Sequence, residues 1–169
     1  LKKDSYIRLI QIRDYKNDNH IVYIPVKHAK RTCKSDDIMI GRYGPPLFQI
    51  LRGLDGAYNV ALMKAVPDEY KLSHNFLFFF LRHSTIQQYV IYHSQRAAGQ
   101  SGVNKNTLEP YPITLPTLKE QAHISDKLKD LEQLTNDLLA SYNNKIALLD
   151  ELKKSLLHLF LYHSYIDLH

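Results

Sequence analysis

The 169-residue chain has no tryptophan, a single cysteine, and no glycine or proline after Pro116. One thiol, Cys33, forms no internal disulfide, so packing and hydrogen bonds must hold the fold, and a cytosolic, metal-free protein is the default expectation. Long apolar runs are also missing. The longest, Phe76 to Leu81, falls far short of the roughly 20 residues that a membrane span needs. No charged-then-apolar leader stands at the start, which predicts no signal peptide. The chain opens at Leu1 rather than at methionine, as a trimmed fragment does.

The motifs of catalysis are missing as well. No GxGxxG or Walker-type loop offers to cradle a phosphate, and no Asn/Asp-Pro-Pro-aromatic signature of an amino-methyltransferase occurs: Pro45-Pro46 runs into Leu47, and Glu109-Pro110-Tyr111 is only a loose echo. The nine histidines form no HxH, HExxH or Cys/His cluster, which argues against a metal site. The paired acids Asp36-Asp37 and Asp68-Glu69 fall in turn-like stretches, where aspartate serves the turn itself. No acid followed by Glu-x-Lys is present to suggest a nuclease. The expectation is a chain without catalysis.

What is present is charge, unevenly placed. The chain carries a formal +5. Residues 1–115 hold 16 Lys and Arg against 9 Asp and Glu, a net of +7, whereas residues 116–169 are net −2. All seven arginines (Arg8, Arg13, Arg31, Arg42, Arg52, Arg82 and Arg96) lie in the first part. The guanidinium fork suits phosphates and guanine edges, so a basic half points to nucleic acid, with a merely solvated surface as the plainer reading.

The glycine and proline boundary separates two kinds of chain. Before it, turn residues punctuate short apolar runs; beyond it, one uninterrupted helix is allowed. In the first part, Tyr6–Ile12, Ile21–Pro25, Ile38–Ile40, Leu47–Leu51 and Ala57–Val66 read as strands. Ser73 and Thr85 read as caps of two helices, over Phe76–Leu81 and Ile86–Tyr92, and Tyr111–Leu115 reads as a last extended piece. The fold class expected is α+β: a mixed, β-rich domain over residues 1–116, followed by a long coiled-coil-forming helix over 117–169. In that helix Ile124, Leu131, Leu138, Lys145, Leu152 and Leu159 recur at sevens, as do Leu128, Thr135, Tyr142, Leu149, Leu156 and His163 four residues along. Alternating steps of four and three put both rows on one seam. Leu134, Leu139, Ile146, Leu148 and Leu157 widen it. Such a face needs a partner helix; packing on the chain's own domain would hide only the first few turns.

The order of motifs resembles the specificity (S) subunits of type I restriction-modification systems. Ser35–Gly44 is similar to that family's gDil-x-x-x-G strand and turn, Tyr58–Leu62 to its central strand, and Phe76–Gln88 to its helical stretch. Ala98–Leu108 is similar to the glycine-containing loop. Pro112–Ile124 resembles the ip-x-P-x-x-EQ-x-x-I junction between recognition domain and helix, and Tyr142–Leu157 the conserved helix. The family's opening segment, often with a tryptophan, has no counterpart here. A full S subunit has two domain-plus-helix units and this chain has one, which leaves open a fragment, a half-subunit or a single-unit relative.

The resemblance implies a non-catalytic chain that binds double-stranded DNA and no cofactor of its own. Modification (methyltransferase) subunits would hold S-adenosylmethionine, and a restriction (translocase-nuclease) subunit would use ATP and Mg. Each recognition domain would read half of a split target. The paired helices would set the gap, and a homodimer through Ile124, Leu128, Leu131, Leu138, Tyr142, Leu149, Leu152, Leu156 and Leu159 would imitate the two-unit form.

Reading bases calls for forked or amide donors on loops. Three stretches qualify: Lys27, Lys30 and Arg31 (with Lys34 nearby) as a phosphate-binding cluster; Arg42 and Tyr43 at a glycine-flanked turn, with Gln49 and Arg52 near; and Arg96, Gln100, Ser101, Asn104 and Lys105 around Gly99 and Gly102. A solvated loop, a hairpin tip and a structural turn are the respective plainer readings. Arg42 and Arg96 are expected on exposed loops. Two other functions stay open: a helix-mediated oligomerisation adaptor that never touches DNA, and the recognition domain of a single-chain methylating nuclease.

Overall fold

The structure is a computed structural model that describes residues 5–96 and 102–166, the side chains of 95–96 and 161–166 excepted. Packing divides the chain into a first unit ending at Ser125 and a second beginning at Asp126. The first unit contains two small sheets. Strands β1 (Tyr6–Ile10), β2 (Val22–Pro25), β3 (Thr32–Cys33) and β6 (Gly56–Tyr58) form one sheet, in the order β2-β1-β6-β3. Strands β4 (Ile38–Gly41), β5 (Gln49–Leu51) and β7 (Leu62–Ala65) form the other, in the order β5-β4-β7. Helices α1 (His74–Leu81), α2 (Ser84–Arg96) and α3 (Lys105–Leu108) follow, and α4 (Leu118–Ile166) closes the chain. The α+β class with a long terminal helix is as the sequence led us to expect.

Strand β4 is buried on both faces. Ile38 and Ile40 point into a cluster with Phe48, Phe78, Leu81, Ile86, Val90 and Val103. Met39, between them, points into a second cluster with Ile10, Cys33 and Leu62. Alternation along a strand makes this division automatic, and it explains why the run Ile38–Ile40 is apolar without interruption. The turn into β4 is held by Asp37, whose carboxylate accepts from the Lys34 N–H at 2.8 Å and from Lys64 Nζ on β7 at 2.7 Å. Burial alone would raise the Asp37 pKa; these hydrogen bonds outweigh it and leave it lowered.

Several local expectations need correction. The run Ala57–Val66 is not one strand. Asn59 folds it into a turn, its side chain accepting from the Ala61 N–H at 2.9 Å and its carbonyl from the Leu62 N–H at 3.1 Å, so β6 and β7 belong to different sheets. An asparagine able to mimic a backbone turn overrides the strand preference on either side. β1 stops at Ile10, and a 3-10 turn takes Ile12–Tyr15. Ser73 caps α1 as expected, with its hydroxyl accepting from the Phe76 N–H. Thr85, however, lies inside α2, and the His83 ring nitrogen accepts its N–H at 3.3 Å. Tyr111–Leu115 joins neither sheet.

Gly56 sits where β6 runs parallel to β1, in register Leu9 with Ala57. A Cβ there would lie 2.5 Å from the Arg8 carbonyl oxygen, which is backbone and has nowhere to go. Gly56→Ala is therefore expected to lower the unfolding free energy by about 2 kcal/mol or more, the range for overpacking a tight site. A urea melt with a midpoint equal to that of the unsubstituted protein would show that β1 and β6 separate without penalty.

Candidate nucleic-acid interface

The basic stretch at 26–31 links the two edge strands of the first sheet, β2 and β3. A single 3-10 turn, Val26–His28, starts the crossing, and Lys27, Lys30 and Arg31 are all exposed along it. Under the crossing lies an open cleft of about 300 Å³. Leu9, Ile24 and Ala57 line it from the sheet, while His28, Lys30 and Arg31 stand at its side with no carboxylate in the lining. The arrangement presents positive charge next to an apolar floor, which suits a phosphate backbone.

Asn59 and Val60, in the β6–β7 turn, line the same cleft. That turn also reaches the second predicted stretch, because the Val60 carbonyl accepts from Arg42 Nη1 at 3.0 Å and the Ala61 carbonyl from the Arg42 N–H at 3.0 Å. Arg42 Nε donates to the Val103 carbonyl at 2.7 Å, and the Val103 N–H donates back to the Arg42 carbonyl at 3.0 Å. Gly102 lies under the Tyr43 ring so closely that an added Cβ would come within 2.5 Å of it. The 26–31 connector and the Arg42 turn thus meet at the 59–61 turn, and Gly102-Val103 joins them at Arg42 and Tyr43, although no spacing in the sequence links these segments.

The same contacts correct the expectation for Arg42. It is half-buried rather than on an exposed loop, and its guanidinium ties two backbone segments together. Tyr43, beside it, is exposed. Gln49, in β5 opposite Gly41, donates from Nε2 to the Pro46 carbonyl at 3.0 Å and so braces its own turn. Arg52 is not brought to this site: it lies at the other end of β5, its guanidinium carbon 3.8 Å from the Phe78 ring centroid, with Nη1 donating to Asn75 Oδ1 at 3.3 Å. Asn104 caps α3 by accepting from the Thr107 N–H at 3.0 Å, and Lys105 pairs with Glu109 at 3.0 Å on an exposed face. The Arg96 side chain, Gln100 and Ser101 lie outside the described residues. His28, Asn59 and Val60 were missed in the sequence. Only Asn59, a turn former inside an apolar run, gave a local signal.

Other reactive groups are placed for structure. Burial pushes the Cys33 thiol above its ordinary value, and the nearby Asp37 charge adds to this. A buried thiol with a raised pKa is a poor nucleophile. Among the described residues no group of three or more His, Cys, Asp or Glu is placed to hold a metal.

Arg42→Ala is expected to lower the unfolding free energy by about 2 kcal/mol, since a carbonyl left without its donor in a half-buried setting costs about 1–3 kcal/mol. Arg31→Ala, on the open connector, should stay within about 0.5 kcal/mol. Equal stability of the two variants in thermal unfolding would mean that the Arg42 bonds hold nothing together.

The family described as the type I restriction modification DNA specificity domain matches residues 2–148. A Methanocaldococcus jannaschii protein assigned as the type I restriction enzyme MjaX specificity subunit is 31% identical over 114 residues, covering 68% of this chain and 24% of its own length. The crystal structure of the HsdS subunit from Thermoanaerobacter tengcongensis shares the fold, with a TM-score of 0.62 at 21% identity, over 79% of this chain and 37% of that one. The chain therefore spans well under half the length of either relative. With the match running from the first sheet well into the long helix, the chain belongs to the type I restriction modification DNA specificity domain family.

Proposed function

We propose that this chain is the DNA-reading unit of a type I restriction-modification specificity subunit, recognising one half of a split duplex target. The observation that carries this reading is the family match itself, which crosses from the recognition unit into the helix and ends only at residue 148. The exposed Lys27, Lys30 and Arg31 beside an apolar cleft supply the phosphate-facing surface, and the Tyr43 turn with the 59–61 turn faces the bases. The chain catalyses nothing. Methyltransferase and nuclease subunits bring the chemistry, with S-adenosylmethionine, ATP and Mg bound to them, in the cytoplasm. Among the described residues no helix is long and apolar enough to cross a membrane.

The second unit presents a face that calls for a partner. Leu131, Leu138, Leu149 and Leu152 are each 55–65% exposed along α4. A helix bearing that much apolar surface in water is stabilised by pairing, and the spacing by sevens fits another helix. The partner is the helix of a second specificity unit, in the parent protein or in a second copy of this chain.

Duplex binding should weaken at least tenfold between roughly 50 and 200 mM salt, as neutralising about two phosphates requires. Lys30→Ala with Arg31→Ala should weaken it on all sequences alike and reduce the salt slope by about 2. Affinity that ignores salt would exclude a phosphate-driven interface. Leu138→Asp with Leu149→Asp should convert a dimer to a monomer in light scattering while the recognition unit keeps its melting transition; an unchanged dimer would remove α4 as the pairing surface.

A further inference from the structure

Gln121, in the first turns of α4, is fully buried. Glutamine is seldom found so, because its amide has one acceptor and two donor hydrogens to satisfy. Here each kind is matched. Oε1 accepts from the Ser73 N–H at 2.8 Å, and Nε2 donates to the carbonyls of Lys71 at 2.8 Å and Pro116 at 2.9 Å. All three partners are backbone groups, two of them in the segment that leads into α1.

The surroundings reinforce the contact. Thr117 and Glu120 close a capping box at the start of α4: the Glu120 carboxylate accepts from the Thr117 N–H at 2.8 Å, and the Thr117 hydroxyl accepts from the Glu120 N–H at 3.3 Å. One turn further on, the buried Ser125 hydroxyl donates to the Gln121 carbonyl at 2.7 Å. A helix that needed only to pack against the 71–73 segment would do so with an apolar side chain. An amide reading three backbone groups accepts one register: sliding α4 by a residue moves Gln121 by about 1.5 Å and turns it by about 100°.

We propose that Gln121 is a positioning residue for target spacing: it holds the start of α4 in a single register on the recognition unit, so that the distance between the two half-sites is read without ambiguity. This rests on the specificity-subunit reading above. Beyond Gln121 the helix has no glycine or proline to absorb a shift, so looseness at its start reappears at its far end. A base pair is about 3.4 Å, which makes a slip of one or two residues comparable with one step in the gap.

The test uses the parent protein assembled with its methyltransferase, on duplexes whose half-sites are fixed and whose gap varies in single base pairs. The unsubstituted protein should favour one gap. Gln121→Glu keeps the shape and the Ser73 contact but sets a carboxylate oxygen against two carbonyls. It should reduce the preference for that gap over its neighbours roughly tenfold, the scale of one buried hydrogen bond, with the half-site bases unchanged. Gln121→Met, apolar and of similar length, is read if the glutamate variant does not fold. Ser73→Ala removes the α1 cap but not the N–H that Gln121 engages, and should leave the gap preference intact. The proposal is overturned if the unsubstituted protein methylates adjacent gaps equally, if a folded Gln121 variant melts lower yet keeps its gap preference, or if Ser73→Ala broadens the gap as much. Failure of the unsubstituted protein to bind any duplex would sink the specificity-subunit reading along with it.

Discussion

Burial of both faces of β4 is the constraint on which the recognition unit is built. Ile38 and Met39 have no exposed surface and Ile40 has 2%, so two hydrophobic clusters meet on three consecutive residues. The elements that follow, from β5 to α3, each give residues to one cluster or the other. The turn beyond Gly41 must return the chain to pair as β5 while placing Phe48 in the first cluster, and it does so with Phe48 at φ +59°. That conformation costs a bulky residue about 1–2 kcal/mol; the ring's burial offsets it. Val103, fully buried in the same cluster, brings the end of the glycine loop to the turn, where Arg42 ties it down.

This packing changes how the basic charge should be read. Arginine count suggested a broad nucleic-acid surface, yet several guanidinium groups are occupied by the protein itself. Arg8 pairs with Asp18 at 2.7 Å, Arg42 with two carbonyls, and Arg52 and Arg82 lie against the Phe78 ring. Stacking on an aromatic ring and forked donation to carbonyls use the properties that also suit arginine to DNA. On the 26–31 connector, by contrast, Lys27, Lys30 and Arg31 are all exposed, as are Arg13, Lys16 and Lys34 elsewhere in the unit. Arginine count alone therefore overstates the guanidinium groups free to face a ligand.

The two sheets were harder to read in the sequence than the helix, for a reason of length. Strands of two to five residues carry little periodicity: β3, at Thr32–Cys33, was invisible inside a basic stretch, and β6 and β7 merged into one apolar run. Helix α4 repeats its pattern over 49 residues, so single exceptions such as Lys145 and Thr135 do not hide it. The start of α4 at Leu118 was legible because glycine and proline end at Pro116. The Gln121 clamp was not legible, since its partners lie 48 and 50 residues earlier.

The sequence by itself determined the α+β class, the end of turn-forming chain at Pro116, the capping of α1 by Ser73 and the apolar seam of α4. Each is a local property, set by backbone preference or by spacing within a few turns. Only the tertiary structure decided which polar side chains face outward. Arg42, Tyr43, Gln49 and Arg52 sit within eleven residues of one another and look alike as candidates, yet Tyr43 is exposed, Arg42 and Gln49 bond to backbone carbonyls, and Arg52 stacks on Phe78. The physical reason is that a side chain's fate depends on which backbone groups and rings arrive beside it. In this protein those come from residues 46, 60, 78 and 103, in segments gathered around a strand buried on both sides.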